Sequence, residues 1–120
     1  MYQLLLLATL LPGAVEVPEG ALLLLKNSNK PVASWTGSDI THIAVVVHQG
    51  GQPWVYEATP AKVRQVPLPS YWRELAELNA RRQPKTTVLM LRPSESYSQD
   101  QIQLMKQYME YVKILINILH

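Results

Sequence analysis

Cysteine is absent from the 120 residues, and this excludes more than any other feature of the sequence. Disulfides, thiolate metal sites and a thiol nucleophile are all ruled out within this stretch of chain. Phenylalanine is missing as well, so leucine, valine, tyrosine and tryptophan must fill the core. Charge is sparse: Asp, Glu, Lys and Arg make up 17% of the residues and the formal net charge is only +2. The densest basic spot is Arg81-Arg82, with Lys85 nearby. Nucleic acid selects for cations gathered along one face, so no nucleic-acid partner is expected. There is no phosphate-binding glycine loop, no nucleophile-elbow serine and no HExxH pattern. Asn27, Asn29, Asn79 and Asn117 all lack a Ser or Thr two positions on, so none is a glycosylation acceptor.

What is present suits one folded domain. The length allows a single compact unit, and a 48% hydrophobic content is enough to build its core. The apolar run Leu4 to Leu11 is too short to cross a bilayer as a helix. Residues 1–14 fit a signal-peptide h-region with Ala14 as the small residue before cleavage, although no Lys or Arg stands near Met1 and Pro12 is awkwardly placed. They fit a buried first helix or strand equally well. A cleaved segment would make the protein extracytoplasmic or secreted. The remainder, 15–120, reads as one domain.

Ala21 to Leu25 is expected to be a buried strand, given its unbroken leucines between Gly20 and Asn27. Lys26 to Asp39 (KNSNKPVASWTGSD) reads as a loop. Trp35 within it either anchors the loop on the core or forms the wall of a substrate groove, and ring burial favours the anchor. Ile40 to His48 (ITHIAVVVH) is a β-branched strand, Gly50-Gly51 a hairpin turn, Trp54 to Ala58 the returning strand and Lys62 to Val66 a half-exposed third. Ser70 to Arg82 is expected to be a helix capped by Ser70, with Tyr71, Leu75 and Leu78 on its apolar stripe. Thr86 to Leu91 follows as a strand. Ser98 opens a last helix with Gln101 as its capping-box partner, and Ile102, Met105, Met109, Val112 and Ile116 keep its apolar beat. The fold class is α+β: an antiparallel sheet meander with two helices.

A two-residue turn at Gly50-Gly51 sets Glu57 opposite Ala44. His42 shares that face and lies diagonal to Glu57, about 7–8 Å away at the backbone and within reach of two long side chains. A carboxylate on one imidazole nitrogen fixes the tautomer, and the other nitrogen can then take a proton from a nucleophile. The same pair could equally be a simple cross-strand polar contact. His48 has the same parity but sits about 20 Å away by the turn, where a solvated residue is expected, and His120 is expected to fray. A metal site from His42, Glu57 and Asp39 would lack both a second nearby histidine and the usual zinc spacings, so no metal or cofactor is expected.

From Gly20 to Arg92 the order of motifs, EGALLLLKN, GSDITHIAVVV, WVYEATP, KVRQVPL, SYWRELAEL and TTVLMLRP, resembles the permuted NlpC-type papain-like cysteine hydrolases, the YiiX- and YaeF-like proteins among them. The resemblance implies a rearranged papain-like core. It also implies a cysteine peptidase or amidase acting on amide or ester bonds of cell-wall peptides or lipid-linked substrates. His42 would be the general base and Glu57 the orienting carboxylate, with Trp35, Ser38 and Thr41 as substrate-contact candidates. The family's cysteine follows the histidine, beyond the last strand quoted. This sequence has there only the helix from Ser98, so it reads as a truncated or frame-altered form, incomplete at its C-terminus, or as a binding module that has lost its chemistry. Ser98 is a poor substitute nucleophile, because capping occupies its hydroxyl. The tail of that helix (Ile114, Leu115, Ile116, Ile118, Leu119) is more apolar than one stripe needs, which leads us to expect homodimer formation or membrane contact.

Overall fold

The computed structural model describes residues 2–7, 16–59 and 62–119, with side chains for 16–59 and 62–115. The elements run β1 (Tyr2–Leu7), β2 (Leu22–Lys26), α1 (Lys30–Thr36), β3 (Ile40–Gln49), β4 (Gln52–Ala58), β5 (Val63–Pro67), α2 (Leu68–Asn79), β6 (Thr87–Pro93) and α3 (Gln99–Leu119). The α+β class with antiparallel sheet is as expected. Five strands form the sequence β6-β2-β3-β4-β5, and β1 joins it at the β6 edge. Every pairing is antiparallel. The N-terminal run thus contributes Tyr2–Leu7 as an edge strand. Ala14 and His120 lie outside the described residues.

The core sits between one sheet face and α2. Strand alternation sends Leu23, Leu25, Ala44, Val46, Val55, Val88 and Met90 to that face, where Leu68, Tyr71 and Leu75 of α2 close over them. Leu22 and Leu24 point the other way and stay half-buried, so β2 buries one face rather than the two that its leucine run suggested. Leu78, expected on the inner stripe of α2, is half exposed, and Asn79 is buried in its place. Asn79 earns that position through two hydrogen bonds. Its Nδ2 donates to the Thr86 carbonyl at 2.9 Å and its Oδ1 accepts from the Thr86 amide at 2.9 Å, which locks the start of β6 to the end of α2.

Two local expectations are corrected. The stretch between β2 and β3 is not all loop: Lys30–Thr36 is helical, because the Asn29 side chain caps the Val32 amide, Pro31 occupies the first turn and Gly37 takes the left-handed position after the last. Helix α2 begins at Leu68, ahead of the expected serine cap. Pro69 fits the first turn, where no amide is needed. Ser70 then lies inside the helix and its hydroxyl accepts from Arg73. The expected capping box at α3 is present. The Ser98 hydroxyl accepts from the Gln101 amide at 3.2 Å and the Gln101 side chain accepts from the Ser98 amide at 2.8 Å.

Candidate functional site

The hairpin decides which side chains meet. Gly50 and Gly51 have φ values of 60° and 75°, a combination that a two-residue primed turn demands and that side chains resist. Gln49 therefore faces Gln52, and the register carries through to Ala44 opposite Glu57. His42 and Glu57 fall on one face as the parity required. The His42 Nε2 and Glu57 Oε1 are 2.6 Å apart. A carboxylate oxygen only accepts, so Nε2 carries the proton and Nδ1 is left as the free nitrogen. The His42 side chain remains 27% exposed while that of Glu57 is only 10% exposed.

Glu57 is the hub of a larger group. Across β4 and β5 it faces Arg64, whose Nε lies 3.1 Å from Glu57 Oε2. That guanidinium N–H is close enough to pair by charge but is not aligned for a hydrogen bond. Arg64 Nη2 reaches on to both carboxylate oxygens of Glu74 on α2, at 2.9 and 2.6 Å. The Tyr71 hydroxyl donates to Glu57 Oε1 over 3.4 Å. One imidazole, two carboxylates, a guanidinium and a phenol are therefore strung from β3 across β4 and β5 to α2. Sequence reasoning identified His42 and Glu57. Arg64 was missed because no glycine fixes the parity of the β4–β5 connection, and Tyr71 and Glu74 because no local pattern sets how α2 docks on the sheet.

Burial, and then the neighbouring Glu57 charge and hydrogen bond, push the Tyr71 phenol well above its ordinary range. The Tyr56 phenol is also raised, by burial first and then by Glu110. A phenol whose folded pKa lies above its unfolded value near 10 stabilises the fold fully below about pH 10. Above that, the unfolded chain loses the proton while the folded one retains it, and for Tyr71 stability falls by about 1.4 kcal/mol per pH unit. Urea midpoints followed from pH 8 to 11 should therefore drop on the alkaline side, and Tyr71→Phe should flatten that drop. An equal slope in the variant would show that Tyr71 is not the group responsible.

The three substrate-contact candidates are placed differently from one another. Trp35 does not anchor α1: its ring is 91% exposed, because α1 buries no residue at all. It stands near the end of the helix that leads into β3, the strand that carries His42 near its start. The Ser38 hydroxyl is exposed and accepts from the Ile40 amide at 3.1 Å. Thr41 lies one residue from His42, so alternation turns it to the other side of the strand. Its hydroxyl accepts from the Ser28 amide at 3.0 Å, contacts the Ser28 hydroxyl at 2.5 Å and donates to the Leu25 carbonyl over 3.4 Å. These bonds hold the irregular β2–β3 register, which shifts between Leu25 and Lys26.

His48 is not a solvated turn residue. Its Nε2 donates to the Val17 carbonyl at 3.0 Å and its amide to Glu19 at 2.8 Å, because the segment leading into β2 folds back over this end of β3. It borders a cleft of about 600 Å3 lined by Val17, Pro53, Leu68, Trp72 and Arg73. His48, on the rim of that cleft, lies six residues along β3 from His42, about 20 Å away, whereas on the α2 side the ring of Trp72 stands 6.2 Å from that of Tyr71, whose hydroxyl reaches Glu57. Among the described residues, no three His, Asp or Glu side chains gather as a metal site, and no helix is long and apolar enough to cross a membrane. Comparison with protein-family models, with curated proteins and with solved structures returns no match.

Proposed function

We propose that this chain is a hydrolase-type domain of the permuted NlpC, papain-like class, built for amide or ester bonds in cell-wall peptides or lipid-linked substrates, and that these residues supply the base half of its site. The observation that carries the reading is the 2.6 Å contact between His42 Nε2 and Glu57, which leaves Nδ1 free on a partly exposed ring. A ring so held can accept a proton from a thiol at Nδ1, and the buried carboxylate stabilises the imidazolium that results. No residue here can provide that thiol, and the Ser98 hydroxyl is engaged in capping α3. The chain by itself is therefore expected not to turn over amides or esters.

The base half can be tested by supplying the missing thiol. With a small aliphatic thiol and a nitrophenyl ester, the chain should accelerate thiolysis about tenfold over the thiol alone, below the full range for a positioned base because the thiol is untethered. His42→Ala should abolish the acceleration and His48→Gln should keep it. Equal rates for the native chain and His42→Ala would end the reading. Rapid hydrolysis without added thiol would reveal a different nucleophile.

A second reading, a non-catalytic binding module, draws on the exposure of Trp35. An uncovered indole is a stacking platform for a peptide or sugar ring. In that case peptide fragments would quench tryptophan fluorescence in a Trp35-dependent way, and added thiol would yield no turnover.

A further inference from the structure

Helix α3 has two apolar sides, and the domain covers only one. Ile102 is buried, and Met105, Met109 and Val112 are half-buried toward the sheet. On the outside, Leu104, Tyr108, Tyr111 and Leu115 are between 44% and 68% exposed, with Ile114 beside them at 57%. Their spacing of four, three and four keeps them in line along the helix, the interval at which one helix seats against another.

The charges are arranged the opposite way from those of a surface helix. Lys106 pairs with Glu19 at 3.6 Å, Glu110 accepts from the Tyr56 hydroxyl, and Lys113 is half-buried beside Gln49 and Gln65. All three turn toward the domain. Between 101 and 115 the exposed positions outside the apolar stripe are glutamines, and none is charged. A charged partner would find nothing to pair with on this face. An anionic lipid surface would find no flanking cation, which a helix lying on a membrane normally presents. A second copy of the same stripe meets no like charge.

We infer that the outer face of α3 is a self-association surface, on which the α3 helix of a second copy seats through Leu104, Tyr108, Tyr111 and Leu115. The stripe runs about 17 Å, short for an obligate interface, so the dimer is a weak, reversible one in the micromolar range. The inference is independent of any role for His42.

Sedimentation equilibrium tests it. The native chain should pass from its monomer mass of 13.6 kDa to twice that between about 1 and about 100 µM. Leu104→Lys and Tyr111→Lys set a charge in the seam without lowering helix propensity, and each should weaken association at least about tenfold. Trp35→Ser removes a still more exposed aromatic elsewhere and should leave the dimer intact. Amide exchange in α3 of the native chain, slower at high concentration than at low, gives the same answer should a lysine variant fail to fold. A native monomer throughout the range overturns the proposal, as does a dimer that survives the lysines or is lost with Trp35→Ser. A monomer that co-floats with phosphatidylcholine vesicles would assign the stripe to lipid instead.

Discussion

Replacing Glu57 with alanine is expected to lower folding stability by about 3 kcal/mol, measured by urea denaturation at neutral pH. The residue is more than a partner for His42. Its side chain is 10% exposed and it lies within contact of His42, Arg64 and Tyr71. Truncation leaves the Arg64 Nε, already without an aligned acceptor, with no carboxylate beside it in a poorly solvated place. The loss of a partner costs more than the pair contributes, because the remaining group keeps its desolvation penalty. The value stays near the lower end for a broken buried pair because Arg64 is itself 28% exposed and retains Glu74. Glu57→Gln, which keeps a carbonyl oxygen for the His42 N–H and fills the same space, should cost about 1 kcal/mol. Combining Glu57→Gln with Arg64→Met should recover part of the loss, since the double variant leaves neither charge stranded. A loss below about 0.5 kcal/mol for Glu57→Ala would mark the cluster as an ordinary solvated contact and remove the structural rigidity that a base-orienting role requires.

The contrast between what could be read in the sequence and what could not follows from how each feature is encoded. The His42–Glu57 contact was legible because a Gly-Gly turn fixes parity, and parity alone decides which residues share a face. Arg64 depends on a second turn whose sequence sets no parity, and Tyr71 on the docking angle of α2, which no local pattern specifies. Helix α1 was hidden by composition: Ser, Asn, Pro and Gly are loop residues in aggregate, yet Asn29, Pro31 and Gly37 stand in the order of a helix cap, first turn and stop. That order was the available signal. The exposure of Trp35 runs against the burial expected for an indole, and propensity offers no warning of it. His48 became a structural residue only because the Val17 segment returns to it, a long-range contact invisible to local reading. The site is therefore half legible: the pair that would move a proton is encoded locally, whereas the groups that hold the pair in place are encoded by tertiary packing.

Gly20→Val should be the most damaging single substitution at the front of the domain, with a loss of about 4 kcal/mol. Gly20 has a φ of +82°, a region that a β-branched side chain enters only under strain. A Cβ at this position would also lie 2.2 Å from the ring of Tyr97, so the ring must be displaced as well. The backbone cannot relax away, because the Gly20 amide donates to the Val46 carbonyl at 2.8 Å and the Val46 amide to Ala21 at 2.9 Å. These bonds align the chain as it enters β2, where Leu23 is fully buried. The comparison that isolates crowding from strain is Gly37→Ala, whose φ is +71° in open space and which should cost only about 1 kcal/mol. Because Tyr97 directly precedes the Ser98 cap, the displaced ring should also loosen the start of α3, so amide exchange in Gly20→Ala should quicken there more than in α2. An exchange increase shared evenly by the two helices would show that the Gly20–Tyr97 contact does not secure α3, and a Gly20→Ala loss no greater than that of Gly37→Ala would show that the ring moves aside freely.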